Sequence, residues 1–152
     1  MNQPIPSNPL PVVVVFVHPA WPWKFIDSRQ TRSDARRARK YAEIIERAVA
    51  FPRLVLFGSP RISNRQPPAI RAAMGRLAGA SSAIIPAGDN WSARRERELA
   101  SVLEDGFGDA PIVLTGFYRN LCVSSVKAEL ERRLPHRAIS IDRVNCPARL
   151  IY

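Results

Sequence analysis

Cysteine is scarce in this chain, and several common site motifs are missing. Cys122 and Cys146 are too few for a disulfide framework, and they form no CxxC pair or His/Cys cluster of the kind that binds zinc. The segment HPAWPW at 18–23, which follows the first apolar run, contains no glycine. A dinucleotide-binding fingerprint and a Walker loop are therefore excluded. We expect neither a metal nor a cofactor.

Long hydrophobic runs are also lacking. The longest, VVVVFV at 12–17, is far too short to span a bilayer and has no signal-peptide flanks. We therefore expect a cytoplasmic protein without a membrane partner. A length of 152 residues with 46% hydrophobic and 24% charged residues is typical of one globular domain. Four prolines in residues 1–11 predict an extended arm that packs on a partner subunit, followed by a single domain over 12–152.

Positive charge dominates the sequence. The net charge is +10, yet only three of the 23 basic residues are lysines. A basic surface attracts polyanions, so nucleic acid is one candidate partner. A GC-rich coding sequence would give the same excess of arginine without a binding role. Apart from RSDARRARK at 32–40 and a group at 94–97, the arginines are dispersed. This dispersal favours ordinary solvated helix faces over a nucleic-acid surface.

Short apolar runs alternate with amphipathic segments from position 12 onward. The predicted strands are Val12–Val17, Arg53–Phe57, Ser82–Pro86, Pro111–Thr115 and Ala138–Ile141, with Ala148–Tyr152 as a sixth. The predicted helices cover 34–50, 68–77, 93–104 and 120–134. Ser33, Ser92 and Asn120 are the predicted N-caps of the first, third and fourth helices, and Pro68 lies in the first turn of the second. This order predicts an α/β protein: a three-layer α/β/α fold with a central, mostly parallel sheet of five or six strands.

In such sheets ligands bind beyond the carboxyl ends of the strands. The segments at those ends are His18, Gly58–Arg61, Ala87–Trp91, Gly116–Cys122 and Asp142. We interpret Asp142 as either a cap or a wall of the site, without a part in catalysis.

Cys122 carries the strongest chemical signal. If Asn120 caps the fourth helix, Cys122 lies two residues inside it, where the helix dipole favours a thiolate. The backbone amides of Leu121 and Cys122 could then stabilise an oxyanion. The alternative is that Cys122 is a small apolar core residue, as a lone free cysteine commonly is.

Aromatic residues form a second signal at the same predicted edge of the sheet. They are Trp21, Trp23, Phe25, Trp91 and Tyr118, and the arginines near them in the sequence are Arg29, Arg61 and Arg119. Rings beside arginines suit a planar, anionic small molecule or an unstacked base. The alternative is that the tryptophans cover the end of the sheet or form a subunit contact.

The segment TGFYRNLCV at 115–123 resembles the cysteine-bearing segment of isochorismatase-like cysteine hydrolases, and the order of elements is similar over most of the chain. The resemblance implies a nucleophilic Cys122 assisted by an Asp and a Lys, with homo-oligomers as the common assembly. It also implies an oxyanion turn that contains Phe117, Tyr118 and Leu121. A cis peptide bond is expected in that turn, between Phe117 and Tyr118.

Two positions differ from the family pattern. His18 occupies the place of the family Asp, and Gly88 lies near the place of the family Lys. His18 is either a general base for Cys122, since imidazole titrates near neutral pH, or a locally hydrogen-bonded polar residue.

The leading hypothesis is therefore a hydrolase that acts on a small amide, imide or related carbonyl. Cys122 and His18 would be catalytic, and Trp21, Trp23, Trp91 and Arg119 would line the substrate pocket. One alternative is a catalytically silent relative that binds a ligand or a protein. The other is a basic accessory protein that binds nucleic acid.

Overall fold

A computed structural model describes residues 11–20, 32–62, 66–88 and 90–148, which form a parallel sheet between two layers of helices. The strands are β1 (Val13–Val17), β2 (Leu54–Phe57), β3 (Ala83–Ile85), β4 (Ile112–Gly116) and β5 (Ile139–Ile141). The helices are α1 (Arg32–Val49), α2 (Pro68–Ala80), α3 (Ala93–Phe107) and α4 (Ser124–Arg133). Residues Phe117–Val123, between β4 and α4, are called the cysteine turn below.

The strand order is β3-β2-β1-β4-β5, and every neighbouring pair is parallel. This confirms the predicted α/β fold with helices on both faces of the sheet. Residues 1–10 of the predicted arm and residues 149–152 of the predicted sixth strand lie outside the described residues.

Two apolar clusters hold the layers together. One packs α1 and α2 on the sheet through residues such as Val14 and Phe16, and the other packs α3 and α4 through Val13, Val15 and Val17. All five residues of β1 are completely buried, since side chains alternate between faces that are both covered. Burying each such side chain contributes about 1.5–3 kcal/mol, which explains a strand made almost entirely of valine.

Two helices extend three residues beyond the ends predicted for them, at 77 and 104, and each passes a glycine. Helix α2 passes Gly79 to reach Ala80, and α3 passes Gly106 to reach Phe107. A glycine inside a helix costs about 1 kcal/mol relative to alanine. Here the residue after each glycine packs against an apolar cluster, and this burial outweighs that cost.

Candidate functional site

The candidate site lies where the adjacent strands β1 and β4 end. Val17 and Gly116 are the last paired residues of these strands, and the Phe117 amide donates to the Val17 carbonyl oxygen at 3.0 Å. His18 follows Val17 directly, and the cysteine turn follows Gly116. The parallel pairing thus places the His18 backbone beside the first residues of the cysteine turn.

The His18 side chain is enclosed by aromatic rings. Its ring centroid lies 5.4 Å from that of Trp91 and 6.5 Å from that of Phe57, and the residue is only 4% exposed. Its φ of 52° is in the left-handed region, which few residues other than glycine and asparagine adopt. The backbone amide of His18 donates to the Phe57 carbonyl oxygen at 2.8 Å. His18 is thereby held on the side of the sheet that α3 and α4 cover.

The cysteine turn differs from the prediction. Residues Arg119–Val123 form a short π-helical turn that runs into α4 at Ser124, and Asn120 lies inside that turn, so the expectation that Asn120 caps the helix is wrong. Leu121 has φ −125° and ψ −111°, which interrupts the helical conformation. The amides of Leu121 and Val123 both donate to the Tyr118 carbonyl oxygen, at 3.0 and 3.2 Å. Cys122 therefore precedes the first residue of α4 instead of lying within the helix.

The residues predicted for the oxyanion turn have two different environments. Phe117 and Tyr118 are buried in the α1 and α2 cluster, whereas the Leu121 side chain is 56% exposed. The Leu121 amide already donates to Tyr118, so the turn would have to rearrange before that amide could bind an oxyanion. The peptide bond between Phe117 and Tyr118 is cis, which is where the resemblance places such a bond.

The Tyr118 side chain packs in the α1 and α2 cluster, whereas Trp91 packs against the α3 and α4 cluster. The Tyr118 hydroxyl is 2.9 Å from the Tyr41 hydroxyl, within the layer formed by α1. Burial, together with the hydrogen bond to Tyr41, raises the pKa of the Tyr118 hydroxyl well above its usual range. Tyr118 therefore anchors the turn to α1.

The two cysteines occupy different environments. Cys122 is half-buried and packs, like Trp91, against the α3 and α4 cluster. Cys146 is buried, and its Sγ donates to the Gly116 carbonyl oxygen at 3.2 Å. Burial raises the pKa of the Cys146 thiol to about 12. Of the two thiols, Cys122 is the candidate nucleophile.

Arg119 is already engaged by the segment that follows β5. Its guanidinium donates to the Arg143 carbonyl oxygen at 3.1 Å, and its amide donates to the Pro147 carbonyl oxygen at 2.8 Å. Asp142 caps the same segment, since its carboxylate accepts the amides of Val144 and Asn145 at 3.1 and 3.2 Å. The segment after β5 therefore buttresses the cysteine turn, and Asp142 is a cap.

Trp91 is the predicted pocket tryptophan that lies within the described residues; Trp21 and Trp23, like Phe25 and Arg29, lie outside them. Trp91 is half-buried, and its ring lies 5.4 Å from the ring of Phe57 as well as against His18. Its side chain lies near the Glu96 carboxyl group in the first turn of α3 and lowers the pKa of that group slightly. Trp91 therefore covers His18 and connects it to α3.

Sequence reasoning missed Glu96. Burial, and then the neighbouring Glu129, raise the pKa of the Glu96 carboxyl group, whereas hydrogen bonding to Arg132 lowers the pKa of Glu129. The available signal was a glutamate in the first turn of the helix after Trp91. Nothing in the sequence indicated that a second glutamate from α4 would lie beside it.

We expect Glu96→Gln to raise thermal stability at pH 7–8. The raised pKa means that the folded state favours protonated Glu96, so its ionisation lowers stability as the pH rises through the folded pKa. Below the unfolded pKa of about 4.3, both states are protonated and this penalty disappears. A permanently neutral glutamine should therefore raise Tm by about 1–3 °C at neutral pH and leave it unchanged near pH 3.5. Thermal melts from pH 3.5 to 8 measure this.

Glu43→Gln, on the exposed side of α1, is the matched control. The difference in Tm between this variant and wild type should not increase between pH 3.5 and pH 8. A Glu96→Gln protein that is less stable than wild type at neutral pH would contradict the assignment of the proton to Glu96.

No helix within the described residues is long and apolar enough to cross a bilayer.

Comparison of the chain with protein-family models, curated proteins and solved structures found no match.

Proposed function

We propose that this protein is a cysteine hydrolase in which Cys122 attacks the carbonyl carbon of a small amide, imide or related substrate. The observation that carries the proposal is the placement of His18 and the cysteine turn. Both follow paired residues of adjacent parallel strands, and both His18 and Cys122 pack towards α3 and α4.

In the proposed reaction, His18 accepts the proton of the Cys122 thiol as the C–S bond forms. The tetrahedral intermediate then collapses and the C–N bond breaks, while His18 returns the proton to the leaving nitrogen. Water attacks the resulting thioester, with His18 again accepting a proton, and releases the carboxylic acid and the free thiol. Trp91 would hold the imidazole in place through ring contact.

A second candidate is a catalytically silent protein that binds a ligand or another protein. The enclosure of His18 by Trp91 and Phe57 favours this candidate, since a covered imidazole has limited access to a substrate. The replacement of the family Asp by His18 and the absence of lysine near Gly88 favour it as well.

The rate at which iodoacetamide alkylates each cysteine distinguishes the two candidates. For a hydrolase, we expect the midpoint of Cys122 alkylation against pH to lie below that of a free thiol, about 8.5. His18→Asn should move this midpoint upward by about one pH unit, because a nearby imidazolium favours the thiolate. Asparagine suits the left-handed backbone at this position, so the variant removes the imidazole with little backbone cost. Mass spectrometry of the two cysteine peptides provides the measurement.

Cys146 is the internal control. A thiol pKa near 12 lowers its thiolate fraction at pH 8 by about a thousandfold relative to a free thiol, so Cys146 should react only after unfolding. If the Cys122 midpoint equals that of free cysteine and does not respond to His18→Asn, the hydrolase proposal fails and the binding protein remains. A lowered and His18-dependent midpoint would justify a screen of amide and imide substrates.

A further inference from the structure

Three of the exposed cations on helix α1 are grouped on one part of its solvent side, whereas a fourth, Arg47, donates a hydrogen bond to Asn145. Arg36, Arg39 and Lys40 are exposed and lie on one stripe of the helix, since residues three and four positions apart are neighbours. The buried stripe that contains Tyr41 and Ile45 lies on the opposite side. We call these three residues the α1 basic face.

Folding does not explain this arrangement. Most of the cations on α3 and α4 have acidic partners, as in the pairs Arg94–Glu98, Lys127–Glu131 and Arg132–Glu129, and Arg97 is the exception among the described residues of these two helices. Among the ion pairs of the described residues, none involves a member of the α1 basic face.

Like charges three and four residues apart lower helix stability. Glu43 continues the same stripe and is exposed, but it forms no ion pair within the described part of the chain. Glu43 offsets part of this repulsion, since it lies four residues after Arg39 and three after Lys40, and an anionic partner would remove the remainder.

We infer that the α1 basic face binds the phosphate backbone of duplex nucleic acid without reading its sequence. With a rise of 1.5 Å per residue, the three cations lie within about 6 Å along the helix axis. A DNA duplex carries one negative charge for about every 1.7 Å of its length, so several phosphates are within reach at once. The net charge of +10 adds long-range attraction.

A membrane surface fits this face less well. A helix that lies in a membrane interface needs large apolar side chains next to its cations. The exposed large apolar residues of the described chain are Ile62, Ile84, Leu121 and Val144. None of them belongs to α1, so the face offers charge without an apolar anchor.

The test is fluorescence anisotropy with a labelled 20-base-pair DNA duplex of arbitrary sequence, titrated with the full chain between 25 and 200 mM KCl. For three phosphate contacts, the slope of log K against log salt in wild type should be about −2.7 or steeper. Replacing Arg36, Arg39 and Lys40 together by glutamine should reduce the steepness by about 2–3 and weaken binding at 50 mM salt by tenfold or more. Each single replacement should reduce it by about 0.9.

The matched control is the triple variant Arg94→Gln, Arg97→Gln and Arg132→Gln, which removes the same charge from α3 and α4. It should change Kd by less than about threefold. The inference is overturned by equal loss in both triple variants, by no wild-type binding at 25 mM KCl, or by binding only to phosphatidylglycerol-containing vesicles. The Tm of the α1 variant should not fall below that of wild type, since repulsion is removed; a lower Tm would also contradict the inference.

Discussion

Gly116→Ala should destabilise this protein by about 3 kcal/mol or more. An alanine Cβ at this position would lie 2.3 Å from the Val17 carbonyl oxygen and 2.7 Å from the Val17 nitrogen, both of which are backbone atoms of a buried strand. The φ of Gly116 is +108°, a conformation that residues with a Cβ avoid. Neither β1 nor β4 can shift without breaking the pairing at the centre of the sheet.

A loss of that size is a large fraction of the 5–15 kcal/mol by which domains are stable. Urea unfolding followed by circular dichroism would measure it, and failure to accumulate as folded protein is the extreme form of the same result. Gly75→Ala is the matched control, because a Cβ there meets nothing within 4 Å and the residue lies inside α2. It should raise stability by about 0.5–1 kcal/mol. A Gly116→Ala protein as stable as wild type would contradict the close approach of β1 and β4.

Arg137→Met should be the next most damaging change, at about 2–4 kcal/mol. Arg137 is 7% exposed, and its guanidinium donates to the Ala110 carbonyl oxygen at 2.6 and 3.1 Å and to the Leu103 carbonyl oxygen at 3.2 Å. Methionine fills similar space but donates no hydrogen bond. The buried Ala110 carbonyl group would lose its donors, the Leu103 carbonyl group would lose one of its donors, and a buried unsatisfied group costs about 1–3 kcal/mol.

Thermal melts should show a fall in Tm of about 4–16 °C for Arg137→Met, at 2–4 °C for each kcal/mol. Arg132→Met is the matched control, since Arg132 is exposed and pairs with Glu129 at the surface of α4. An exposed ion pair of this kind contributes about 0–1 kcal/mol, so its Tm should fall by no more than about 3 °C. Similar losses in the two variants would show that the buried guanidinium has no special role.

The arginine-rich composition thus has more than one origin in the structure. Arg137 supports the end of α3 and the entry to β4, and Arg119 holds the segment after β5 against the cysteine turn. Arg94, Arg95 and Arg132 form ion pairs along their own helices. The α1 basic face is the group that these structural roles leave unexplained, which is why its salt dependence is worth measuring.

The fold could be predicted from the sequence because strands buried on both faces appear as continuous apolar runs. Runs such as VVVVFV and RLVLF lack alternation, and this is typical of strands covered on both faces. The four amphipathic segments between them predict crossover helices, and right-handed crossovers leave few arrangements for a parallel sheet. Within the described residues, five of the six predicted strands and all four predicted helices are observed, with helix ends wrong by up to a few residues where Ala80 and Phe107 pack beyond a glycine.

The candidate site was predictable in position but not in detail. The topology alone places His18 and the segment after Gly116 at one edge of adjacent strands. Local propensity favoured Asn120 as a helix cap, yet hydrogen bonds from Arg119 and Asn120 to Pro147 and Ala148 hold the turn in another conformation. Those bonds join segments almost thirty residues apart, and no local pattern contains them.

Packing likewise decided on which face of the sheet each aromatic side chain lies. Tyr118 is four residues from Cys122, but its ring enters the α1 layer because Tyr41 offers a hydroxyl partner there. Trp91 covers His18 because α3 brings Glu96 within reach of its side chain. The sequence alone determined the α/β architecture, the order of its elements and the edge that carries Cys122 and His18, since these follow from periodicity and chain connectivity. The tertiary structure decided the shape of the cysteine turn and the partners of Tyr118, Trp91 and Glu96, since these depend on contacts between residues distant along the chain.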